Sequence, residues 1–222
     1  MTPTRRPHDP PAQTQHPRRI VVGITGASGA AYAQRVIQGL LAAGVEVHLV
    51  VTPYGVRLLH DELGMAGIDR TMLAGDAGEA GGAERIIIHS VNDMGAAIAS
   101  GSFVHDGMIV IPCSANALNT IAAGLGSNLL YRAAAVTLKE RRKLILCHRE
   151  TPLTIIDIQA MEKVTLAGAI VAPANPGYYF LPQSVDDLVD FMAARWLDLL
   201  GVEHTLGKRW GQEPADVPVR SA

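Results

Sequence analysis

The chain has 222 residues, a formal net charge of −2, and 48% hydrophobic but only 5% aromatic residues. The length suffices for one sizeable α/β domain, the charge implies no nucleic-acid partner, and no apolar run reaches membrane-spanning length. A core of Ala, Val, Ile and Leu fits a buried parallel sheet between helices, a single-domain three-layer α/β/α, doubly wound fold.

Residues 1–18, rich in Pro, Arg, His and Gln, read as a disordered tail without the apolar centre of a signal peptide. The domain proper is expected over 19–206, with a polar C-terminal tail over 207–222. Its first element is the apolar run Ile20 to Ile24, a buried strand. A turn follows with Gly23, Gly26 and Gly29 in G-x-x-G-x-x-G spacing, Ser28 between them, and then a helix with apolar residues at Tyr32, Val36, Leu40 and Ala43. Strand, glycine turn and helix in this order make an anion site from the free N–H groups of the first helical turn; a tight turn without a ligand is the alternative. The spacing is not the dinucleotide fingerprint, and the second strand, Val45 to Val51, ends at Thr52 with no acidic residue for a ribose. A hydroxyl there suits a terminal monophosphate, which favours FMN over NAD.

Further along, Gly55 to Leu63 reads as a helix, residues 74–83 as a flexible surface excursion, and Ile86 to Ile88 as a short strand. The polar loop Ala99-Ser-Gly-Ser-Phe103 leads into the strand Met108 to Pro112, then Cys113-Ser114-Ala115-Asn116 and a helix to Ala123. A helix over Asn128 to Arg141 places Arg132 and Lys139, seven residues apart, near one face. The strand Leu144 to Cys147 finishes at His148-Arg149-Glu150-Thr151-Pro152. A helix over Ile155 to Ala167, a strand Ala169 to Ala172 and a loop bearing Tyr178, Tyr179 and Phe180 follow. Ser184 caps the last helix, with Asp186 and Asp187 in its first turn and Arg195 further along. In such sheets ligands bind at the carboxyl ends of the strands, where Gly26 to Ser28, Thr52, Ser114 with Asn116, and Arg149 with Glu150 all fall.

These stretches resemble the UbiX family of flavin prenyltransferases over about residues 18–211. The resemblance is carried by Gly23-Ile-Thr-Gly-Ala-Ser-Gly-Ala-Ala-Tyr32, Ala99-Ser-Gly-Ser-Phe103, Pro112-Cys-Ser114, Arg132-Ala-Ala, Leu138-Lys-Glu-Arg-Arg142, Arg149-Glu-Thr-Pro152, Pro176-Gly-Tyr-Tyr179, Pro182-Gln-Ser184 and Arg195. It implies transfer of a dimethylallyl group from dimethylallyl phosphate to reduced FMN, closing a fourth ring without a metal. The product, prenylated FMN, would serve a partner decarboxylase of the UbiD type. It also implies a homo-oligomer, a dodecamer of flavodoxin-like subunits with sites at their interfaces. By position, FMN would meet Gly26, Ala27, Ser28, Thr52, Ser114, Ala115, Asn116, Ala117 and Arg149. The donor phosphate would meet Arg132, Lys139, Glu150, Tyr179 and Arg195, with Glu150, Lys139, Tyr179 and Arg132 as the catalytic set. Ala117 stands where the family usually has Thr, and Ala135 where relatives often have Asp.

Metal-free departure of a phosphate calls for surrounding cations, and Arg and Lys supply them. A carboxylate such as Glu150 serves there as a proton donor when its pKa is raised. The bland alternatives are solvated helix charges and a surface ion pair. Cys113 and Cys147 lie in apolar strands, which implies reduced thiols and a cytoplasmic protein. The eight His show no metal-ligand spacing, so no metal is expected. Two competing functions share the FMN site: an FMN-dependent cysteine-type decarboxylase and a non-catalytic FMN carrier subunit.

Overall fold

The computed structural model describes residues 17–79 and 81–207. Six strands form one parallel sheet: β1 (Arg19–Ile24), β2 (Glu46–Val51), β3 (Ile86–His89), β4 (Met108–Cys113), β5 (Leu144–His148) and β6 (Ile170–Val171). Their order is β3-β2-β1-β4-β5-β6, with every neighbouring pair parallel. This is the doubly wound arrangement, which reverses direction between β1 and β4 and opens a crevice at their carboxyl ends.

Alternate strand residues feed two cores. Ile20, Val22, Ile24, Leu49, Ile109, Ile145 and Cys147 pack on one face with the helices α1 (Ala30–Ala42) and α8 (Val185–Leu200). On the other face Val21, Val50, Met108, Val110, Leu144 and Leu146 meet α5 (Ala115–Ala122), α6 (Leu129–Lys139) and α7 (Ile155–Leu166). Capping sets the helix starts. Asn128 accepts from the Tyr131 N–H, and Thr154 with Asp157, like Ser184 with Asp187, forms a capping box. Helix α2 (Pro53–Leu63) starts two residues before the expected Gly55, because Pro53 is pre-organised for a first helical position and Thr52 caps it. Helix α6 stops at Lys139 rather than running to Arg141, whose φ of 56° is left-handed.

The expected excursion over 74–83 carries short helical segments on either side of residue 80. Asp69 caps α3 (Arg70–Ala74), α4 (Asp76–Glu79) follows, and a single 3₁₀ turn, Gly82–Arg85, leads into β3. Leu73, Ala74 and Gly82 are buried. A Cβ on Gly82 would stand 2.2 Å from the Ala77 carbonyl oxygen, so this glycine permits a close backbone approach. Apart from residues 17, 18 and 207, the two expected tails lie outside the described residues. Arg18 is tied in, donating from Nη2 to the Leu200 carbonyl at 2.9 Å. Among the described residues no helix is long and apolar enough to cross a membrane.

Candidate active site

Four strand tips converge at the carboxyl edge, and hydroxyl caps dominate their hydrogen bonding. Thr52 accepts from the Gly55 N–H at 3.1 Å and donates to the Ile24 carbonyl at 3.3 Å, so the hydroxyl expected to meet a phosphate already ties β1 to α2. Gly55 makes that contact possible, since a Cβ there would stand 2.6 Å from the Ile24 oxygen. Ser114 caps α5 by accepting from the Ala117 N–H, and its own N–H donates to Thr25 Oγ1 at 2.9 Å. Ala115 is partly exposed and Asn116 exposed, while Ala117 is fully buried and offers a ligand no side-chain contact. Asn116 donates to the Tyr131 hydroxyl at 3.2 Å.

The turn after β1 differs from expectation in one respect. Gly26 and Ser28 are exposed and Ala27 is buried beneath them. The N–H groups of Gly29 and Ala30, however, both donate to the Glu62 carboxylate, at 3.0 and 2.7 Å to Oε2. The anion at the α1 N-terminus is therefore the protein's own. Glu62 lies at the far end of α2 and no local motif marks it; only the tertiary fold brings it here.

At the tip of β5, Arg149 donates its backbone N–H to Cys113 O at 3.2 Å, while its Nε is buried without a partner among the described residues. A buried, unpaired guanidinium nitrogen beside a hydroxyl-capped helix start suits an anionic ligand group. The residues present thus fit the phosphate end of FMN. Glu150 next to it is exposed and accepts from the Thr151 N–H at 3.0 Å. Burial pushes the Cys113 thiol up to about 12, which removes it as a nucleophile.

The donor cations lie elsewhere in the chain. Helix α6 begins at the carboxyl side, where the Leu129 N–H bonds the Val91 carbonyl just past β3, and descends about 16 Å at 1.5 Å per residue. Arg132 Nε donates to Ala99 O at 3.2 Å, and Lys139 pairs with Glu140 against Gly101. Both cations meet the Ala99–Phe103 loop, so they share one face of the helix, as their spacing predicts. From Ala99 that loop runs to the amino edge of the sheet: Arg142 holds the Gly101 and Phe103 carbonyls, and the Phe103 ring packs on His48 and under Arg19. His48 bonds Glu46 at 2.8 Å on that side and, in the other direction, His89 at the end of β3 at 2.9 Å. Arg195 sits on α8, across the sheet from α6, 3.7 Å from Asp198. It is five residues above Leu200, whose carbonyl Arg18 binds at the amino edge. Tyr179 is exposed on the loop after β6, edge-on to Phe180 and Phe191. One chain thus unites Gly26–Ser28, Thr52, Ser114–Asn116, Arg149 and Glu150, but sets Lys139 and Arg195 apart from them.

Residues 8–197 match the family model described as Flavoprotein. Flavin prenyltransferase UbiX of Halalkalibacterium halodurans is 46% identical over 192 residues, covering 86% of this chain and 93% of the relative. The chain belongs to the UbiX family of flavin prenyltransferases. The crystal structure of the family member AnUbiX (PadA1), in complex with FMN and dimethylallyl pyrophosphate, superposes with a TM-score of 0.80 at 38% identity. It covers 90% of this chain and all of that one. A dodecameric FMN-dependent UbiX-like decarboxylase from Escherichia coli O157:H7 gives a TM-score of 0.77 at 39% identity, covering 86% and 98%. UbiX family membership was thus legible in the residues that carry the resemblance, and the doubly wound sheet agrees with it.

Proposed function

We propose that this chain is a flavin prenyltransferase of the cytoplasm that joins a dimethylallyl group from dimethylallyl phosphate to reduced FMN. The observation that carries the reading is the buried, unpaired Arg149 guanidinium nitrogen at the carboxyl edge of a UbiX-family sheet. Arg149 with Ser28, Ala27 and Gly26 would hold the FMN phosphate, with Thr52, Ser114, Ala115 and Asn116 shaping the rest of the flavin site.

Breaking the allylic carbon–oxygen bond leaves negative charge on the departing phosphate. Arg132, Lys139 and Arg195 neutralise it, the role a divalent cation fills in most prenyl transfer, so no metal is needed. Glu150 hands a proton to the leaving oxygen and, as a carboxylate, accepts one as the fourth ring closes. Tyr179 donates its hydroxyl to the same phosphate. Since Lys139 and Arg195 lie away from Glu150 in one chain, neighbouring copies supply them in a homo-oligomer, for which the dodecameric relative is the precedent. Helix α7 offers a surface for such contact, with Ile155, Ile156 and Ile158 all more than half exposed. Prenylated FMN would then pass to a UbiD-type decarboxylase.

The test is anaerobic incubation with reduced FMN and dimethylallyl phosphate, then mass analysis of the extracted flavin. A gain of one five-carbon prenyl unit is expected. Unchanged flavin, with FMN bound and the diphosphate also tried, would favour a cysteine-type decarboxylase or an FMN carrier instead.

A further inference from the structure

The β4–β5 ladder breaks just where the site begins. Register runs from Met108 opposite Leu144 to Val110 opposite Leu146, then shifts before Cys113 comes to face His148. Beyond the break one carbonyl takes two bonds from β5 and the residue after it. Cys113 O accepts the Arg149 N–H at 3.2 Å and also lies 3.0 Å from His148 Nδ1. A carbonyl only accepts, so Nδ1 carries a proton and donates it here. His148 is 2% exposed, and its Nε2 is buried with no partner among the described residues.

A buried ring with one nitrogen unpaired is a net cost to stability, so its other hydrogen bond is expected to serve something besides packing. The Cys113 peptide continues into Ser114, whose N–H meets Thr25 Oγ1; that hydroxyl in turn donates to Pro112 O at 2.7 Å. Side chains therefore stitch β1, β4 and β5 together beyond the register shift, alongside the backbone bonds from Arg149 N–H to Cys113 O and from Thr25 N–H to Pro112 O. His148 is the member of this stitch that joins Ser114's strand to Arg149's.

We infer that His148 is a positioning residue for flavin binding: by donating Nδ1–H to Cys113 O it fixes the separation of Arg149 from Ser114, and so the aim of the Arg149 guanidinium. The inference rests on the proposal that this edge takes FMN, yet its readout is binding, so it stands or falls separately from prenyl transfer.

His148→Asn places an amide nitrogen where Nδ1 stood, whereas His148→Leu keeps similar bulk without a donor. FMN affinity is measured by quenching of flavin fluorescence, well below the melting temperature of each variant. His148→Leu is expected to weaken FMN about tenfold and His148→Asn to stay within about threefold of wild type. In an Arg149→Met background His148→Leu should have no further effect, because it acts through Arg149. Wild-type affinity in His148→Leu, equal losses in both variants, or full additivity with Arg149→Met would overturn the inference. His148→Phe replaces His148→Leu if the latter does not fold.

Discussion

Glu62 holds the amino end of α1, its Oε2 2.7 Å from the Ala30 nitrogen. Two of the amides that a helix start leaves open are thereby satisfied, and a carboxylate meets the positive end of the dipole. Glu62→Ala should lower stability by about 1 kcal/mol, read as a lower urea midpoint at unchanged m value. Glu62→Gln, which keeps an acceptor but loses the charge, should fall between. An unaltered midpoint in both would mean the contact contributes nothing.

Arg149 is expected to be needed for FMN binding. Arg149→Met should weaken FMN by roughly 10- to 100-fold, the range of a hydrogen bond to a charged group. Arg149→Lys should recover little, since an ammonium cannot place a donor where the planar Nε stands. Equilibrium dialysis with FMN decides it, and full binding by the lysine variant would count against a directed Nε contact.

Lys139 and Glu150 should work in different copies. Lys139→Ala and Glu150→Gln should each abolish turnover while FMN stays bound. Co-assembled from equal parts, the two variants should regain activity in about a quarter of sites, the fraction random mixing leaves intact across an interface. A dead mixture that nevertheless exchanges subunits would put both residues in one chain's site.

His48 and His89, bonded to each other, set an acid limit on stability. Burial is the main cause lowering the pKa of His48, against the pull of Glu46, and burial with the neighbouring His48 lowers that of His89. Their folded values lie below the unfolded one, so the unfolded chain binds more protons in that window. Stability is then complete above the unfolded value of about 6.5 and is lost as pH falls below it, at up to about 1.4 kcal/mol per pH unit for each proton. Urea midpoints from pH 8 to pH 5 should show that decline, with a shallower slope in His89→Gln.

Gly55 is expected to tolerate no side chain. A Cβ would come within 2.6 Å of the Ile24 oxygen and 2.8 Å of Val51 Cγ1, neither at the end of a flexible chain. Gly55→Ala should cost about 2 kcal/mol and weaken FMN through displacement of the Gly26–Ser28 turn; thermal melting and dialysis report the two effects.

The strand–turn–helix at Ile20 to Tyr32 was readable because β-branched residues, glycines and a helical period follow one another without a gap. The strand tips were readable for the same reason. What escaped the sequence depends on contacts far apart in the chain. Glu62 reaches Ala30 across 32 residues. The glycines over 75–82 read as looseness, yet Asp69 caps a helix before them and Gly82 permits tight packing after. Arg132 and Lys139 were rightly placed on one helical face. The direction in which that helix carries them, from one sheet edge to the other, follows from the topology and not from their spacing.

Thr52 and Ser114 answer to two demands at once. Each hydroxyl starts a helix, and each stands at the rim where we propose that FMN binds. Drift at these two positions is therefore confined to the few residue types that can begin a helix, chiefly Ser, Thr, Asn and Asp, whatever happens to the ligand. A descendant that lost flavin binding altogether would still carry that alphabet at both places, leaving a trace of the ancestral site in a protein that no longer used it.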